Sequence, residues 1–289
     1  MRILIIGDVV GRPGRQAVTA WVPKLRRAWQ LDYVIANAEN AASGSGITPK
    51  LFRELSRAGV DLMTLGDHAW KRRDNLDVLA KESHLLRPLN YPASALGSGA
   101  IVVETSGGVR IGFATLLGRV FMSGADCPFA AIDRVLESFG DEVTVRIVEI
   151  HAEASSEKIA FGWYLDGRVS CVFGTHTHVP TADERVLPGG TAYITDLGMT
   201  GPYDGVIGRE TKAVLYKFTT SMHATFNVAE RNAHLCGVLL EVDRETGRAT
   251  AIRRVDLGSG GGFASQGLPA LAGPEDLPGA LELSAEEGE

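Results

Sequence analysis

The chain has 289 residues, of which 45% are hydrophobic and 22% are charged, the composition of an ordinary globular protein. A chain of this size buries enough surface to fold without disulfides. Its formal net charge of −6 argues against a broad electrostatic affinity for duplex nucleic acid. Three widely spaced cysteines without a CxxC pair suit a reducing compartment, and no apolar run approaches the roughly 18 residues of a membrane span. We therefore expect a cytoplasmic protein that does not bind membranes.

The N-terminal part of the sequence alternates strands with helices. Short apolar runs that end near glycine predict buried strands, and apolar residues at helical spacing predict helices. Thr48 and Pro49 are typical of a helix start, whereas Pro23 predicts a kink or a break inside the first helix. This β-α-β rhythm predicts an α/β domain. The predicted strands are 2–7, 33–37 and 60–66, and the predicted helices are 15–30, 48–59 and 73–82.

The rest of the sequence is richer in strands, and its turn residues at 106–109 and 244–248 predict two hairpins. So many strands, with a helix at 128–138 among them, favour two sheets packed face to face with helices outside. We expect one domain over 1–257 and a weakly structured Gly/Pro/acid-rich tail over 258–289. The predicted strands are 100–105, 109–117, 143–150, 168–173, 191–195, 235–243 and 249–257.

Residue types that bind metals follow five of these strands. Each is ordinary by itself, because an aspartate after a strand is usually a turn residue and a lone histidine is usually structural. Together they indicate a metal site, since ligands gather at the carboxyl ends of strands in α/β sheets. The candidate ligands are Asp8, Glu39, Asn40, Asp67, His151, His176 and His178. The single residue between His176 and His178 would let both point the same way off an extended backbone.

Seven candidates exceed the four ligands that saturate a zinc ion. A bridging carboxylate would serve two ions, as in two-metal hydrolytic sites. Oxygen and nitrogen ligands without thiolate suit iron, manganese, zinc or cobalt, and we expect two divalent or trivalent ions, with iron or manganese favoured.

The order of these motifs resembles that of the calcineurin-like metallophosphoesterases. Asp8 stands for the first aspartate of DxH, but Val10 replaces the histidine of that motif. "GDHAW" stands for GNH, and "GTHTH" resembles GHxH with Thr175 inserted. The departures themselves are similar to the YmdB-type subfamily over about residues 1–257. The segments that carry this resemblance are "GDVVGRPGR", "NAENAASGSGIT", "HAEASSEK" and the block that begins "GTHTHVPTADERVLPGG".

The resemblance implies a β-sandwich flanked by helices and a cytoplasmic phosphodiesterase active on cyclic nucleotides, including 2′,3′-cyclic ones. Asp67 occupies a position where members of this subfamily usually have asparagine. The implied ligands of one ion are Asp8, Glu39 and His178, with Asn40 nearby or bound, and those of the other are Glu39, Asp67, His151 and His176.

The same resemblance implies catalytic and substrate-binding roles for His68 and Asn40. The two cations would clamp phosphate oxygens and make hydroxide available at neutral pH. His68, directly after a ligand, would protonate the leaving group, and the Asn40 amide would donate to a phosphate oxygen.

Three other segments have weaker signals. Arg12 and Arg15 follow the first strand and could add positive potential to the cleft, while residues 71–73 are better explained as solvated charges. The glycine-rich segment 195–208 matches no phosphate-loop pattern, so a structural loop is the simpler interpretation.

Other functions remain compatible with these residues. A phosphomonoesterase or nucleotidase would use the same site, and a metal-dependent regulatory protein would keep it with little catalysis. An amidohydrolase also has an HxH motif, but places it at its first strand. We expect a small phosphodiester or nucleotide as substrate, and a homo-oligomer stays open.

Overall fold

Two β-sheets lie face to face in the computed structural model of the chain, which describes residues 1–105 and 107–258. The strands are β1 (Arg2–Ile6), β2 (Asp8–Val9), β3 (Tyr33–Asn37), β4 (Leu62–Thr64), β5 (Leu85–Leu86), β6 (Ala100–Glu104), β7 (Arg110–Leu117), β8 (Val145–His151), β9 (Cys171–Thr175), β10 (Arg185–Val186), β11 (Ala192–Ile194), β12 (Met199–Pro202), β13 (Ala233–Val242) and β14 (Ala249–Gly258). The α-helices are α1 (Gly11–Trp29), α2 (Pro49–Arg57), α3 (Arg73–Lys81), α4 (Pro128–Phe139), α5 (Ser155–Tyr164) and α6 (Thr211–Thr220), and a short 3₁₀ helix spans Asp67–Trp70.

The first sheet has the order β2-β12-β13-β1-β3-β4-β5, with β14 paired to β13. The second has the order β10-β11-β9-β8-β7-β6. Strands β1, β3, β4 and β5 run parallel, as do β7, β8, β9 and β11. Each set of parallel strands therefore presents its carboxyl ends along one edge of its sheet.

Alternation along the strands builds three apolar layers. In β1, Ile3 and Ile5 face the second sheet, whereas Leu4 and Ile6 face the helices that cover the first sheet. Successive side chains of a strand point to opposite faces, so an entirely apolar strand must be covered on both sides. Helices α1, α2 and α3 cover the first sheet, and α4 and α5 cover the second. The predicted fold class, a β-sandwich flanked by helices, is confirmed.

The first helix differs from its prediction. It begins at Gly11 rather than residue 15, and it continues through Pro23 to Trp29. Two helices were not predicted at all. Helix α5 buries Glu157 and Lys158 beside Phe161, so its inward face is not an apolar stripe, and in α6 only Val214 is buried. Helical spacing of apolar residues is absent where polar groups are buried or where the helix lies at the surface.

The two predicted hairpins agree with the structure where they are described. Strands β6 and β7 form the expected hairpin, although Ser106 in its turn lies outside the described residues. Strand β14 ends at Gly258, and the predicted tail beyond it, 259–289, also lies outside the described residues. In the described part of the chain, no helix is long and apolar enough to cross a membrane.

Candidate metal centre

Five segments from both sheets meet at the carboxyl ends of the parallel strands. Each segment contributes at least one candidate ligand. The segments are the two-residue strand β2, a turn after β3, the 3₁₀ helix after β4, the last residue of β8 and a turn after β9. The fold therefore brings together residues that are up to 170 positions apart in sequence, since Asp8 and His178 belong to one site. All seven predicted ligands and the predicted acid lie here: Asp8, Glu39, Asn40, Asp67, His68, His151, His176 and His178.

Four of these side chains form a tight cluster. One ligand atom from each of Glu39, Asp67, His151 and His176 lies within 4.8 Å of the others. Nε2 of His151 is 3.4 Å from Glu39 Oε1 and 3.2 Å from Asp67 Oδ1. Nδ1 of His176 is 3.4 Å from Asp67 Oδ1, and its Nε2 is 3.2 Å from the exposed Glu153 carboxylate. Carboxylates and imidazoles at these separations could hold a metal ion.

The other side chains form a second group that also contacts Glu39. His178 Nε2 is 3.9 Å from Asp8 Oδ1 and 3.1 Å from Asn40 Nδ2. Asn40 Nδ2 also donates to Glu39 Oε1 at 3.2 Å. Glu39 itself is fixed because its Oε2 accepts from the backbone N–H of Gly66 and of His68. One carboxylate thus contacts members of both groups, as a bridging ligand would.

The two histidines after β9 diverge for a reason that the sequence did not show. An extended backbone would place alternate side chains on one face, and this was the expected explanation for the HTH spacing. Instead His176 has φ 96° and His178 has φ 64°, both in the left-handed region. Such conformations are costly for residues other than glycine and are concentrated at functional sites. The expectation of an extended backbone was wrong, and a strained turn directs the His176 ring to Asp67 and the His178 ring to Asn40.

The site has three features that fit a cation. Oδ1 of Asp8 is fully buried and has no hydrogen-bond partner among the described residues. A Cβ at Gly66 would lie 2.1 Å from His151 Nε2, so the glycine leaves room for the imidazole. Three carboxylates and three imidazoles without a thiolate suit first-row metals. The residues present therefore fit a metal centre.

The pKa values of the clustered side chains also fit a metal centre. Burial, together with neighbouring acids, raises the pKa of Asp8 to about 8, although His151 opposes the shift. Burial also opposes ionisation of Glu39, but His151 outweighs it and lowers the pKa of Glu39 to about 2. The pKa of His151 is raised because Glu39 and Asp67 outweigh its burial. A concentration of buried negative charge is what a bound cation would neutralise.

A second layer of polar residues was missed from the sequence. His151 Nδ1 lies 2.9 Å from Thr175 Oγ1, whose hydroxyl donates to Glu149 Oε1 at 2.6 Å. Asn37 Nδ2 donates to the same Glu149 oxygen at 2.8 Å. This series of hydrogen bonds directs Nδ1–H of His151 away from the cluster, so that Nε2 faces the other candidate ligands. The available signal was a glutamate and an asparagine inside otherwise apolar strands.

A buried ion pair supports the histidine turn. Lys158 Nζ, almost fully buried, donates to Asp196 Oδ2 and to the Thr175 carbonyl, both at 2.7 Å. Asp196 also accepts from the hydroxyl of Thr177, the residue between the two histidines. Neither charge was singled out in the sequence, since one lies in an unpredicted helix and the other in a loop.

The weaker sequence signals have different outcomes. Arg15 contacts none of the candidate ligands in the ranges that the structure describes; it donates to the carbonyl of Ala41, the residue after Asn40, and forms an ion pair with Glu54. Residues 71–73 are exposed, as expected for solvated charges. Segment 195–208 is more than a connecting loop, since its strand β12 pairs with β2 and the Ile207 carbonyl accepts from His178 Nδ1 at 3.1 Å.

The fold has two facing sheets with helices outside. Carboxylates and imidazoles lie at the carboxyl ends of its parallel strands. These features together define a metallophosphoesterase-like α/β protein. The family model described as YmdB-like protein matches residues 4–255. The chain is 44% identical over 255 residues to the 2′,3′-cyclic-nucleotide 2′-phosphodiesterase of Bacillus subtilis (strain 168), an alignment that covers 88% of this chain and 96% of the relative. The chain therefore belongs to the YmdB-like family, which confirms the resemblance drawn from its motifs.

Solved structures show the same fold. A hypothetical protein from Thermus thermophilus is 44% identical with a TM-score of 0.84, and the match covers 89% of this chain and 99% of that one. A novel phosphatase from Mycoplasma pneumoniae is 35% identical, also with a TM-score of 0.84, over 89% of this chain and 93% of that one. The amidohydrolase interpretation is thereby set aside.

Proposed function

We propose that the protein hydrolyses a small phosphodiester, a 2′,3′-cyclic nucleotide, at a centre of two metal ions. The observation that carries this proposal is the position of Glu39, whose Oε1 lies 3.4 Å from His151 Nε2 and 3.2 Å from Asn40 Nδ2. The name of the B. subtilis relative supports the substrate class. The proposed ligands of one ion are Asp8, Glu39 and His178, with Asn40 beside it, and those of the other are Glu39, Asp67, His151 and His176.

The donor set favours iron or manganese, with zinc and cobalt also compatible. When bound, the cations would supply positive charge to the phosphate oxygens and lower the pKa of a water molecule toward neutrality. The other steps of the reaction depend on the protein's own side chains. Those side chains must hold the diester in line for attack and supply a proton to the oxygen that leaves.

Asn40 and His68 are placed for these tasks. His68 Nδ1 lies 2.9 Å from Asn40 Oδ1, and Asn40 Nδ2 donates to Glu39, so the amide oxygen accepts from the imidazole. That bond orients the ring and leaves Nε2 of His68 to deliver a proton to the leaving ribose oxygen. With a diester bound, the Asn40 amide N–H would donate to a phosphate oxygen instead of to His178.

A substrate panel tests the proposal. Purified protein, analysed for its metals and reloaded with manganese or iron, is assayed on 2′,3′-cyclic AMP, 3′,5′-cyclic AMP and 3′-AMP. Cleavage of the ester to the 2′ oxygen would release 3′-AMP, which chromatography separates from 2′-AMP. Hydrolysis of 3′-AMP without cleavage of either cyclic diester would favour a phosphomonoesterase, the activity suggested by the name of the M. pneumoniae structure. Binding of nucleotides without any hydrolysis would favour a regulatory protein.

The proposed enzyme would act in the cytoplasm. Its three cysteines are free, which supports a reducing, cytoplasmic compartment. The substrate would be a small molecule in solution rather than duplex nucleic acid or a membrane lipid.

A further inference from the structure

A cavity of about 290 Å³ has no part in the chemistry described so far. Its walls come from the start of α1, the turn after β3 and the segment before β13. They include Arg12, Ser43, Phe226, Asn227 and Glu230. Pockets that bind small organic groups combine an apolar lining with a few polar groups in this way.

Two lining residues of the cavity are next in sequence to glycines that hydrogen-bond to Asn40. The Asn40 carbonyl accepts from the backbone N–H of Gly11 at 2.9 Å and of Gly44 at 3.0 Å. Gly11 precedes Arg12, and Gly44 follows Ser43, so two walls of the cavity are fixed to Asn40. The side chain of Asn40 meanwhile contacts His68 and His178. Two walls of the cavity are therefore tied to the residue that is proposed to hold the phosphate.

The walls are held rigidly. The Arg209 guanidinium donates to the carbonyls of Ser43, Gly44 and Phe226 at 3.3, 2.6 and 3.1 Å. Gly44 has φ +82°, and a Cβ there would lie 2.4 Å from the same guanidinium. Ser43 also has a positive φ, of 55°. Three hydrogen bonds from Arg209 therefore keep the turn in this costly conformation, so that it forms a preorganised wall of the cavity.

The lining favours a neutral, flat, hydrogen-bonding ring. Phe226 is half-buried and offers an aromatic surface, and aromatic stacking tolerates any base because every base has a π-face. Arg12 makes no hydrogen bond or ion pair within the described residues, so its guanidinium is free to donate. Glu230 would accept from amino groups of a base, whereas it would repel a second phosphate.

We propose that this cavity binds the base of the nucleotide substrate, with Phe226 stacking on the ring and Arg12 donating to its acceptor edge. The inference rests on the proposed phosphodiesterase function, because it places the phosphate at Asn40 and the base next to it. It adds a source of substrate selectivity that lies outside the metal centre.

The test compares two diesters that differ only in the base. Wild type, Phe226→Ala and Arg12→Ala are assayed on 2′,3′-cyclic AMP and on the 2′,3′-cyclic phosphate of 1-O-methylribose, which has no base. Loss of a stacking contact should raise KM for 2′,3′-cyclic AMP about tenfold and leave KM for the base-free diester unchanged. Phe218→Ala is the matched control, because Phe218 is 75% exposed on α6 and does not line the cavity.

A second measurement does not depend on turnover. Saturation-transfer NMR with adenosine, which has a base and no phosphate, should show binding to wild type that Phe226→Ala and Arg12→Ala both abolish. Equal KM values of wild type for the two diesters, or equal loss on both in the variants, would overturn the inference. So would selective loss in Trp70→Ala, since exposed Trp70 shares the 3₁₀ helix of His68 and does not line the cavity. If no diester is cleaved but adenosine still binds at Phe226, the proposed function fails and the base pocket stands.

Discussion

His151 and Thr175 are joined by a 2.9 Å contact between the imidazole Nδ1 and the threonine Oγ1, both fully buried. The Thr175 hydroxyl donates a hydrogen bond to Glu149 Oε1 at 2.6 Å, so it connects the histidine to a carboxylate. A ligand histidine commonly donates its second N–H to a carboxylate or carbonyl, which fixes its tautomer. Here the residue inserted into the GHxH-like motif supplies that contact.

Thr175→Val should therefore weaken metal binding without a change of shape. The valine keeps the volume but leaves His151 Nδ1–H and Glu149 Oε1 without their shared partner, and loss of such a contact costs about 10- to 100-fold in metal affinity. Competition with a chromogenic chelator measures the affinity. Thr175→Ser restores the hydroxyl and should restore binding. Equal affinities in Thr175→Val and wild type would show that the hydroxyl only fills space.

Much of this site could be predicted because strand ends are visible in a sequence. Asp8, Glu39 and His151 follow or end apolar runs, and parallel strands necessarily gather such residues at one edge. The positive φ values of His176 and His178 could not be predicted, since the turn that contains them is held by bonds from Thr177 to Asp196, a residue of another loop. Periodicity reports which face of an element is apolar, and it carries no information on a turn fixed by distant partners.

The same limit explains the missed second layer. Glu149 and Lys158 are buried charges whose partners, Thr175 and Asp196, come from other segments. A charged residue in isolation is read as exposed, because burial of an unpaired charge is very costly. Only the folded structure shows that each charge has its partner.

His68→Ala should keep the metals and lose turnover. His68 contacts Asn40 and lies 3.6 Å from Glu39, but the tight cluster of Glu39, Asp67, His151 and His176 does not include it. A general acid contributes about 10²- to 10⁴-fold, so kcat on 2′,3′-cyclic AMP should fall by that factor. Elemental analysis of the same preparation provides the control. Loss of metal in proportion to loss of activity would contradict the acid role and make His68 a structural part of the centre.

Asp67→Asn should lower metal affinity and shift metal preference. His151 and His176 outweigh the burial of Asp67 and lower the pKa of its carboxyl, so the group is anionic at neutral pH. Removing one negative charge next to the cations favours softer or less oxidised ions, which should raise the share of ferrous over ferric iron. Elemental analysis and Mössbauer spectroscopy follow this change, and activity is measured alongside. Metal content, oxidation state and activity equal to those of wild type would show that the extra charge has no effect.

Gly66→Ala should disrupt the centre by steric means alone. The added Cβ would lie 2.1 Å from His151 Nε2, and the fully buried imidazole has no space into which to move. We expect loss of bound metal and a destabilisation of about 1–3 kcal/mol, the usual cost of overpacking. Gly107→Ala is the matched control, because the nearest atom to its Cβ is 3.6 Å away. Full metal content in Gly66→Ala would mean that the ring is not confined as the structure shows.

Lys158→Met should destabilise the whole protein and loosen the histidine turn. The methionine fills the space of the buried lysine but leaves the Asp196 carboxylate without its cation, and breaking one side of a buried pair costs about 3–5 kcal/mol. Urea unfolding at neutral pH measures this loss. Arg168→Met is the control, because it breaks an ion pair with Asp133 whose side chains are 39% and 36% exposed, and such pairs contribute about 0–1 kcal/mol. The double change of Lys158→Met with Asp196→Asn removes the unpaired charge and should recover part of the stability. If instead the single change costs no more than Arg168→Met, the buried pair does not stabilise the turn that carries His176 and His178.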